Sequence, residues 1–324
     1  MKAYIHTTYG PPDLLLFKDV EKPTPKEDEV LVNIHAASLN AYDWHLLTAD
    51  IFLSRTASGL FKPKSTMIGA DIAGQVEAVG KNIKQFKPGD EVFGDLASWG
   101  GGGFAEYVSV PENALVLKPT NLSFEEAAAI PMAAVTALQG LRDEGKVQSG
   151  QKVLINGASG GVGTFAVQLA KYFGAEVTAV CSTRNQELAQ TLGADHVIDY
   201  TKENFTESGK EYDLILAANG NHPLSDYKRA LTPDGIYVMA GGTMSQIFSA
   251  MLLGPLMSMG GSKKMGGVSA KPNQKDLTFM KELLEAGKVK PIIDKRYPLS
   301  ELPEALSYLG EGHAQGKIVI NHKN

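Results

Sequence analysis

The chain has 324 residues, of which 43% are hydrophobic and 21% are charged, a composition typical of a globular protein long enough for two domains. Its net charge of −5 argues against the general basic surface that nucleic-acid binding requires. The longest apolar stretch, residues 247–259, is interrupted by Gly254-Pro255 and is too short to span a bilayer. The single cysteine, Cys181, excludes an internal disulfide and a zinc site built on several thiolates, and we expect it to be a small buried residue.

The first part of the chain, residues 1–122, is predicted to form a β-rich domain. Its N-terminus alternates like a strand and has no signal-peptide-like apolar segment, so the expected compartment is the cytoplasm. Short apolar runs are separated by Pro and Gly, as in compact all-β units. The predicted strands cover residues 2–6, 14–20, 29–37, 72–79, 91–93 and 104–110.

The composition changes at Ser123-Phe124-Glu125-Glu126, a capping box that predicts the start of a helix. Beyond it, short apolar strands alternate with helical patterns, which indicates a parallel sheet with helices on both faces. The predicted strands cover 153–155, 176–180, 196–198, 214–217 and 236–239, and the predicted helices cover 132–142, 162–173, 185–192 and 224–231. The Met-rich segment 244–267 does not fit this alternation and is interpreted as a core or subunit-contact element, or as one wall of a substrate pocket.

A glycine-rich turn, Ala158 to Gly163, follows the first of these strands directly and opens a helical pattern. Glycines let the backbone approach a pyrophosphate, and free N–H groups at a helix N-terminus favour its negative charge. The order strand, glycine turn and helix therefore predicts a dinucleotide site. A glycine-rich turn without a ligand is the alternative.

The end of the second strand indicates which dinucleotide would bind. A carboxylate at this place would accept hydrogen bonds from a free ribose 2′-hydroxyl, but the chain has Cys181-Ser182-Thr183-Arg184 there. Two hydroxyls and a guanidinium suit a 2′-phosphate, so NADPH is favoured over NADH. Alternatively, Ser182 and Thr183 only cap the next helix and Arg184 is solvated.

These residues in this order resemble the medium-chain dehydrogenase/reductase superfamily, and within it the zinc-independent quinone oxidoreductase and alkenal/one oxidoreductase branch. The resemblance implies an α/β fold in which a Rossmann-type doubly wound parallel sheet, residues 123–265, is inserted in a β-rich GroES-like catalytic domain, residues 1–122 and 266–324. It also implies an active site in the cleft between the two domains, and a homodimer. The segments that carry the resemblance are Ser38–Asp43, Gly69–Gly74, Phe86–Val92, Ala158–Gly163, Leu192–Asp195 and Gly316–Ile320.

The resemblance also assigns roles to individual residues. Asn40 and Thr136 are implied to line the nicotinamide and substrate site, and Tyr42 is a candidate proton donor whose alternative role is that of an apolar wall. The residues implied to bind the cofactor are Ser159, Gly160, Gly161 and Val162 at the pyrophosphate, Ser182 and Arg184 at the 2′-phosphate, Tyr200 near the adenosine ribose, and Gly241, Gly242, Gly316 and Lys317 near the nicotinamide half.

Zinc-dependent members carry Cys where Asn40 stands and Gly-His-Glu where this chain has Gly69-Ala70-Asp71, so no metal is expected. Asp43, beside this site, is expected to fix the loop by accepting local hydrogen bonds or to pair with a nearby base, and the alternative is a role in acid–base chemistry. A site without a metal suits hydride transfer to quinones or to the C=C bond of α,β-unsaturated carbonyls, with NADP(H) as cofactor. Two alternatives stay open: a non-enzymatic NADPH-binding or redox-sensing protein, and an enoyl-thioester reductase.

Overall fold

A computed structural model describes residues 1–49, 59–242, 244–259 and 261–323. The chain divides into two compact units. The first comprises Met1–Met132, Pro272–Gly287 and Pro291–Asn324, and the second comprises Ala133–Lys271 and Lys288–Lys290.

The described strands and helices are numbered here in chain order. The strands are β1 (Lys2–Ile5), β2 (Leu16–Asp19), β3 (Glu29–Ser38), β4 (Asp71–Val79), β5 (Glu91–Asp95), β6 (Tyr107–Pro111), β7 (Leu115–Leu117), β8 (Lys152–Asn156), β9 (Glu176–Cys181), β10 (His196–Asp199), β11 (Tyr212–Ala217), β12 (Leu231–Met239), β13 (Lys264–Gly267), β14 (Ile293–Pro298) and β15 (Lys317–Asn321). The helices are α1 (Ala41–Thr48), α2 (Phe124–Ala128), α3 (Pro131–Gln139), α4 (Gly161–Tyr172), α5 (Gln186–Thr191), α6 (Leu224–Arg229), α7 (Met244–Ser258), α8 (Gln274–Glu285) and α9 (Leu302–Gly310).

The first unit is built on a sheet of strand order β14-β15-β3-β4-β5-β7, in which β6 also pairs with β3. Strand β3 is buried at most of its positions, and it has sheet neighbours on both sides. One core cluster surrounds Val30, Ile34 and Ile72, and another surrounds Leu47, Leu306 and Ile318. The end of β3 and the start of β15 are buried.

The second unit contains a parallel sheet of order β10-β9-β8-β11-β12-β13. With β8 counted as the first strand, this is the order 3-2-1-4-5-6 of the doubly wound dinucleotide fold. Such folds bind ligands outside the carboxyl ends of the strands, where the strand order reverses. Here the reversal lies at β8, which is the strand that leads into the glycine turn.

The unit boundaries differ from those predicted at residues 122 and 266. Residues up to 132 belong to the first unit because α2 is anchored there. The ring of Phe124 lies tilted against that of His35, with the ring centroids 4.1 Å apart, and Glu125 accepts hydrogen bonds from Arg296 and Asn321, both at 2.5 Å. The predicted capping box of α2 is confirmed, since Ser123 and Glu126 bond each other's backbone N–H. Residues 266–271 belong to the second unit because β13 pairs with β12.

The prediction that 244–267 breaks the β-α alternation is wrong, since the segment forms α7 followed by the sixth parallel strand, β13. Pro255 lies in the last turn of α7, and because it has no backbone N–H the helix lacks one hydrogen bond at this position. Gly254 lets the helix approach β13, since an added Cβ would lie 2.9 Å from the carbonyl oxygen of Met265.

Two shorter differences have local causes. The strand predicted over 14–20 is shorter, Leu16–Asp19, because Pro12 starts a 3₁₀ turn before it. The helix predicted over 132–142 ends at Gln139 and continues as a single π-helical turn, Gly140–Glu144. Among the helices of the described ranges, none is both long and apolar enough to cross a membrane.

Candidate active site

The turn between β8 and α4 has the shape of an anion cradle. Gly157 has a φ of +85°, and a Cβ there would lie 2.7 Å from that of Asn219, while a Cβ on Gly163 would collide with the carbonyl oxygen of Gly157. Gly160 is different, because the nearest atom to an added Cβ is 3.7 Å away. Gly160 is also the N-cap of α4 and supplies no side-chain cap, so the N–H groups of the first helical turn are left for a ligand. These features fit a pyrophosphate held at residues Ser159 to Val162.

The two hydroxyls predicted at the end of β9, those of Ser182 and Thr183, differ in their hydrogen bonds. Ser182 is half-buried, and its Oγ accepts a hydrogen bond from Nδ2 of Asn185 at 3.1 Å. Thr183 donates its hydroxyl to Oδ2 of Asp199 at 2.5 Å. Ser182 is the N-cap residue of the following 3₁₀ turn, and it makes no side-chain capping bond. Cys181 is buried at the strand end, as expected, and burial raises the pKa of its thiol to about 11.

Asp199, at the end of β10, is a carboxylate that the sequence reasoning missed at this site. Oδ2 accepts from Thr183 and Gln186, and Oδ1 accepts from the backbone N–H and the hydroxyl of Thr201. Lys202 lies 3.4 Å from Oδ2. The hydroxyl bond from Thr183 and its other donors hold the pKa of Asp199 well below its ordinary range. Its acceptor positions are therefore already occupied by protein donors.

Four further predicted cofactor residues and Thr136 lie in the second unit. Tyr200 is exposed, and its backbone N–H donates to the carbonyl of Cys181 at 3.1 Å, which fixes it beside the β9 tip. Close packing leaves no room for a side chain at Gly241 or Gly242. An added Cβ on Gly241 would lie 2.5 Å from the carbonyl oxygen of Ala218, and one on Gly242 would lie 2.7 Å from that of Gly220. Arg184 is exposed on the 3₁₀ turn after β9, and Thr136 is buried on α3.

In the first unit, strand register creates a row of polar side chains. Ser38 on β3 is paired with Asp71 on β4, and Asp71 is paired with Asp95 on β5. Ser38 donates to Oδ2 of Asp71 at 3.1 Å, while Oδ1 of Asp71 accepts from the backbone N–H of Met132 at 2.9 Å. All three side chains are buried, with Ser38 and Asp71 at 0% exposure.

The same register brings Lys317 to Asn40. Val319 is paired with Ser38, so Lys317, two residues earlier on β15, faces the residue two positions beyond β3. The Lys317 ammonium donates to the carbonyl of Leu39 at 2.9 Å, to Oδ1 of Asn40 at 2.5 Å and to Oδ2 of Asp71 at 3.3 Å. An ammonium has three N–H donors, so each one has a protein acceptor.

Asn40 and Asp43 form the start of α1. Asp43 accepts from the N–H of Asn40 at 2.9 Å and from the N–H of Ala70 at 3.1 Å, which is the loop-fixing role expected from the sequence. Asn40 also donates from Nδ2 to Asp71 at 2.9 Å. The side chain of Asn40 is thus held at both ends, since Lys317 binds its oxygen and Asp71 binds its nitrogen.

The carboxyl groups of Asp43, Asp71 and Asp95 lie near the Lys317 ammonium, and the pKa values of Asp43 and Asp95 are shifted. Burial raises the pKa of Asp43 to about 7, and the nearby Asp71 adds to the effect. Burial and Asp71 likewise raise the pKa of Asp95 to about 7. Burial also raises the pKa of Tyr42 to about 12, and its hydroxyl donates to the carbonyl of Ala97 at 3.3 Å.

Beside Tyr42, the first unit contains a cavity of about 180 Å³ that the sequence reasoning did not foresee. Its walls are mostly apolar, and burial lowers the pKa of its histidine, His6, so this imidazole is uncharged near neutral pH. Its lining includes His6, Tyr9, Tyr42, Leu46, Met67 and Ile68. They come from three separate segments, which explains why no local motif marks the cavity.

Within the described ranges, no group of three or more His, Cys, Asp or Glu residues is arranged to hold a metal ion. Two family models match the chain: an alcohol dehydrogenase GroES-like domain over residues 26–120 and a zinc-binding dehydrogenase over residues 192–320. A chloroplast envelope quinone oxidoreductase homolog from Arabidopsis thaliana is 38% identical over 93% of this chain and 92% of that protein.

The chain belongs to the medium-chain dehydrogenase/reductase superfamily. A second superfamily member, the chloroplastic NADPH-dependent alkenal/one oxidoreductase of Arabidopsis thaliana, is 34% identical over 99% of this chain and 79% of its own. Among solved structures, the quinone oxidoreductase from Coxiella burnetii matches all of this chain and 99% of its own with a TM-score of 0.87 and 28% identity. The α/β fold with a Rossmann-type sheet and a GroES-like domain is thereby confirmed.

Proposed function

We propose that this superfamily member is an NADPH-dependent, zinc-independent oxidoreductase that transfers hydride to quinones or to the C=C bond of α,β-unsaturated carbonyls. The observation that carries the proposal is the network around Asn40, where an amide bound to Lys317 and Asp71 stands at the position of a metal-ligating Cys in zinc-dependent members. Two relatives, named a quinone oxidoreductase homolog and an NADPH-dependent alkenal/one oxidoreductase, agree with it.

The β9 tip supports NADP(H) as the cofactor, which when bound would supply the nicotinamide hydride. Ser182 and Arg184 would hold the 2′-phosphate, because a guanidinium makes charge-assisted bonds to phosphate oxygens. Asp199 would not serve a free 2′-hydroxyl, since its oxygens already accept from Thr183, Gln186 and Thr201. Tyr200 would lie at the adenosine ribose, and Gly241, Gly242 and Gly316 at the nicotinamide half.

Asn40 is the residue that we assign to the substrate carbonyl. Lys317 orients its oxygen, and one Nδ2 hydrogen is donated to Asp71, so the second Nδ2 hydrogen would donate to the oxygen on which negative charge develops. Lys317 itself has all its donors engaged, and we therefore assign it a positioning role in place of direct contact with the cofactor.

Tyr42 would act as a hydrogen-bond donor or a wall, because a phenol with a pKa near 12 holds its proton at neutral pH. The cavity that it shares with Tyr9, Leu46 and Met67 offers apolar walls to the carbon skeleton of a quinone or enone. Thr136 is expected to line the substrate site, as the family resemblance implies.

The decisive experiment mixes the protein with NADPH and a panel of quinones, short enones and enoyl thioesters, and follows NADPH oxidation by absorbance. Turnover of quinones or enones is the expected result, with NADH a poorer donor. Tight NADPH binding without any turnover would favour the non-enzymatic binding protein, and turnover confined to thioesters would identify an enoyl-thioester reductase.

Two further expectations stay predictions. A homodimer is predicted by the family resemblance, and light scattering coupled to size-exclusion chromatography measures it. The cytoplasm is the predicted compartment, although both Arabidopsis relatives are named for the chloroplast. Imaging of the tagged full-length protein in its own cells tests this.

A further inference from the structure

Asn185 ends the 3₁₀ turn after β9 and precedes α5, a position where asparagine ordinarily caps the helix with its side chain. Here it makes no side-chain capping bond, although it is only 5% exposed. Instead its Nδ2 reaches two serines: Ser159 at 2.8 Å, in the glycine turn, and Ser182 at 3.1 Å, at the β9 tip. One buried amide therefore connects the two places assigned to phosphate groups.

The direction of these bonds determines what the serines can do. An amide nitrogen only donates, so Oγ of Ser159 and Oγ of Ser182 act as acceptors toward Asn185. Each serine then retains its own hydroxyl hydrogen, which must point elsewhere. Both serines are half-buried and so reach the surface of the cradle. The arrangement turns them into donors, which is the polarity that phosphate oxygens require.

The other end of the amide gives an independent indication. Oδ1 of Asn185 is buried and has no hydrogen-bond partner, whereas most buried polar atoms in proteins are satisfied. An unsatisfied buried oxygen is destabilising, and a leucine of similar size would avoid this cost. A residue that serves stability alone would not be expected to keep such an atom.

We propose that Asn185 is a positioning residue that commits the hydroxyls of Ser159 and Ser182 to donate to the pyrophosphate and to the 2′-phosphate. The inference rests on the proposed NADP(H) site. In consequence, Ser159 would contribute to binding of both NAD⁺ and NADP⁺, whereas Ser182 would contribute to NADP⁺ alone. Asn185 would affect both cofactors, and NADP⁺ more strongly.

The test measures Kd by calorimetry and thermal midpoints by scanning fluorimetry, without any substrate. The variant N185L is expected to raise the Kd for NADP⁺ about 10-fold and that for NAD⁺ about 3-fold, because two oriented donors are lost to the first ligand and one to the second. Its thermal midpoint is expected to stay equal or to rise.

A matched control is N204L. Asn204 precedes another 3₁₀ turn of the same unit, but its Oδ1 does cap, accepting from the backbone N–H of Thr206 at 3.1 Å. N204L is expected to lower the thermal midpoint and to leave both Kd values unchanged. An N185L variant that behaved like N204L would overturn the proposal.

A double-mutant cycle isolates the mechanism. In the background S159A/S182A, N185L is expected to change the Kd for NADP⁺ by less than about 2-fold, since the groups through which it acts are gone. A full 10-fold effect in that background would refute the positioning role. Wild-type protein that bound NAD⁺ as tightly as NADP⁺ would refute the proposed cofactor preference. The positioning role of Asn185 would then still be tested by the effect of N185L on the Kd for NAD⁺ with and without Ser159.

Discussion

The two units hold their polar residues in opposite ways. In the first unit, Ser38, Asp71 and Lys317 are at most 3% exposed and bond to one another and to Asn40. In the second unit, Ser159 and Ser182 are half-buried, and the first turn of α4 has no side-chain cap on its N–H groups. The network of the first unit fixes the orientation of the Asn40 side chain, and removal of one of its residues would leave a buried polar group without a partner. The arrangement in the second unit leaves donors for a ligand. Substitutions in the buried network of the first unit should therefore affect stability, and substitutions of the residues that face the phosphate cradle should affect affinity.

The largest effect is expected for K317M. Removing the ammonium leaves Asp71 buried without its cation, which costs about 3–5 kcal/mol in the free energy of unfolding. Chemical denaturation measures this loss. The double variant K317M/D71N is expected to recover a large part of it, and the exposed control K18M should stay within about 0.5 kcal/mol of wild type. Equal losses for K317M and K18M would remove the basis of the buried network.

The next effect, on affinity, is expected for R184A. Loss of charge-assisted bonds to the 2′-phosphate should raise the KM for NADPH about 10–100-fold and leave that for NADH almost unchanged. Steady-state kinetics with each cofactor measures both values. R229A, which removes an exposed arginine from the same unit, serves as the control. Equal, small effects on both cofactors would reject the assignment of Arg184.

A pH dependence of stability is expected from Asp43 and Asp95. Their pKa values are raised to about 7 in the folded state, so between pH values of about 4 and 7 the native protein binds more protons than the unfolded chain. Their contribution to stability is present at the acid end of this window and is lost as the pH rises through about 7, by up to about 1.4 kcal/mol per pH unit for each group. The variant D95N should show a flatter decline in denaturation series across this range. Identical slopes for D95N and wild type would contradict the raised pKa of Asp95.

The smallest effect on stability is expected for G160A. Its φ of −81° is accessible to alanine and the site has room for a methyl group, so the free energy of unfolding should change by less than about 1 kcal/mol. The methyl group would nevertheless occupy the phosphate cradle, and calorimetry should show about 10-fold weaker NADP⁺ binding. The matched variant G163A should instead lose about 1–3 kcal/mol of stability, since its Cβ meets the carbonyl oxygen of Gly157. Unchanged NADP⁺ binding by G160A would place the pyrophosphate elsewhere.

Local patterns predicted the second unit well, because its elements are defined by short-range signals. The glycine turn and the buried Cys181 both appear where the sequence indicated. The failure at 244–267 also has a local cause, since the Met-rich composition of this segment hides the β-α alternation that the structure shows as helix α7 followed by strand β13.

The sequence by itself determined the order of strand, glycine turn and helix, the hydroxyls and Arg184 after β9, and the absence of Cys and His at positions 40 and 70. Only the tertiary structure decided three hydrogen-bonded contacts. Asp199 accepts from Thr183, Asn185 donates to both Ser159 and Ser182, and Lys317 donates to Asn40, which lies 277 positions away in the sequence. The reason is physical. A turn or cap depends on neighbouring residues, whereas these contacts depend on the register between strands and turns that are distant in the chain.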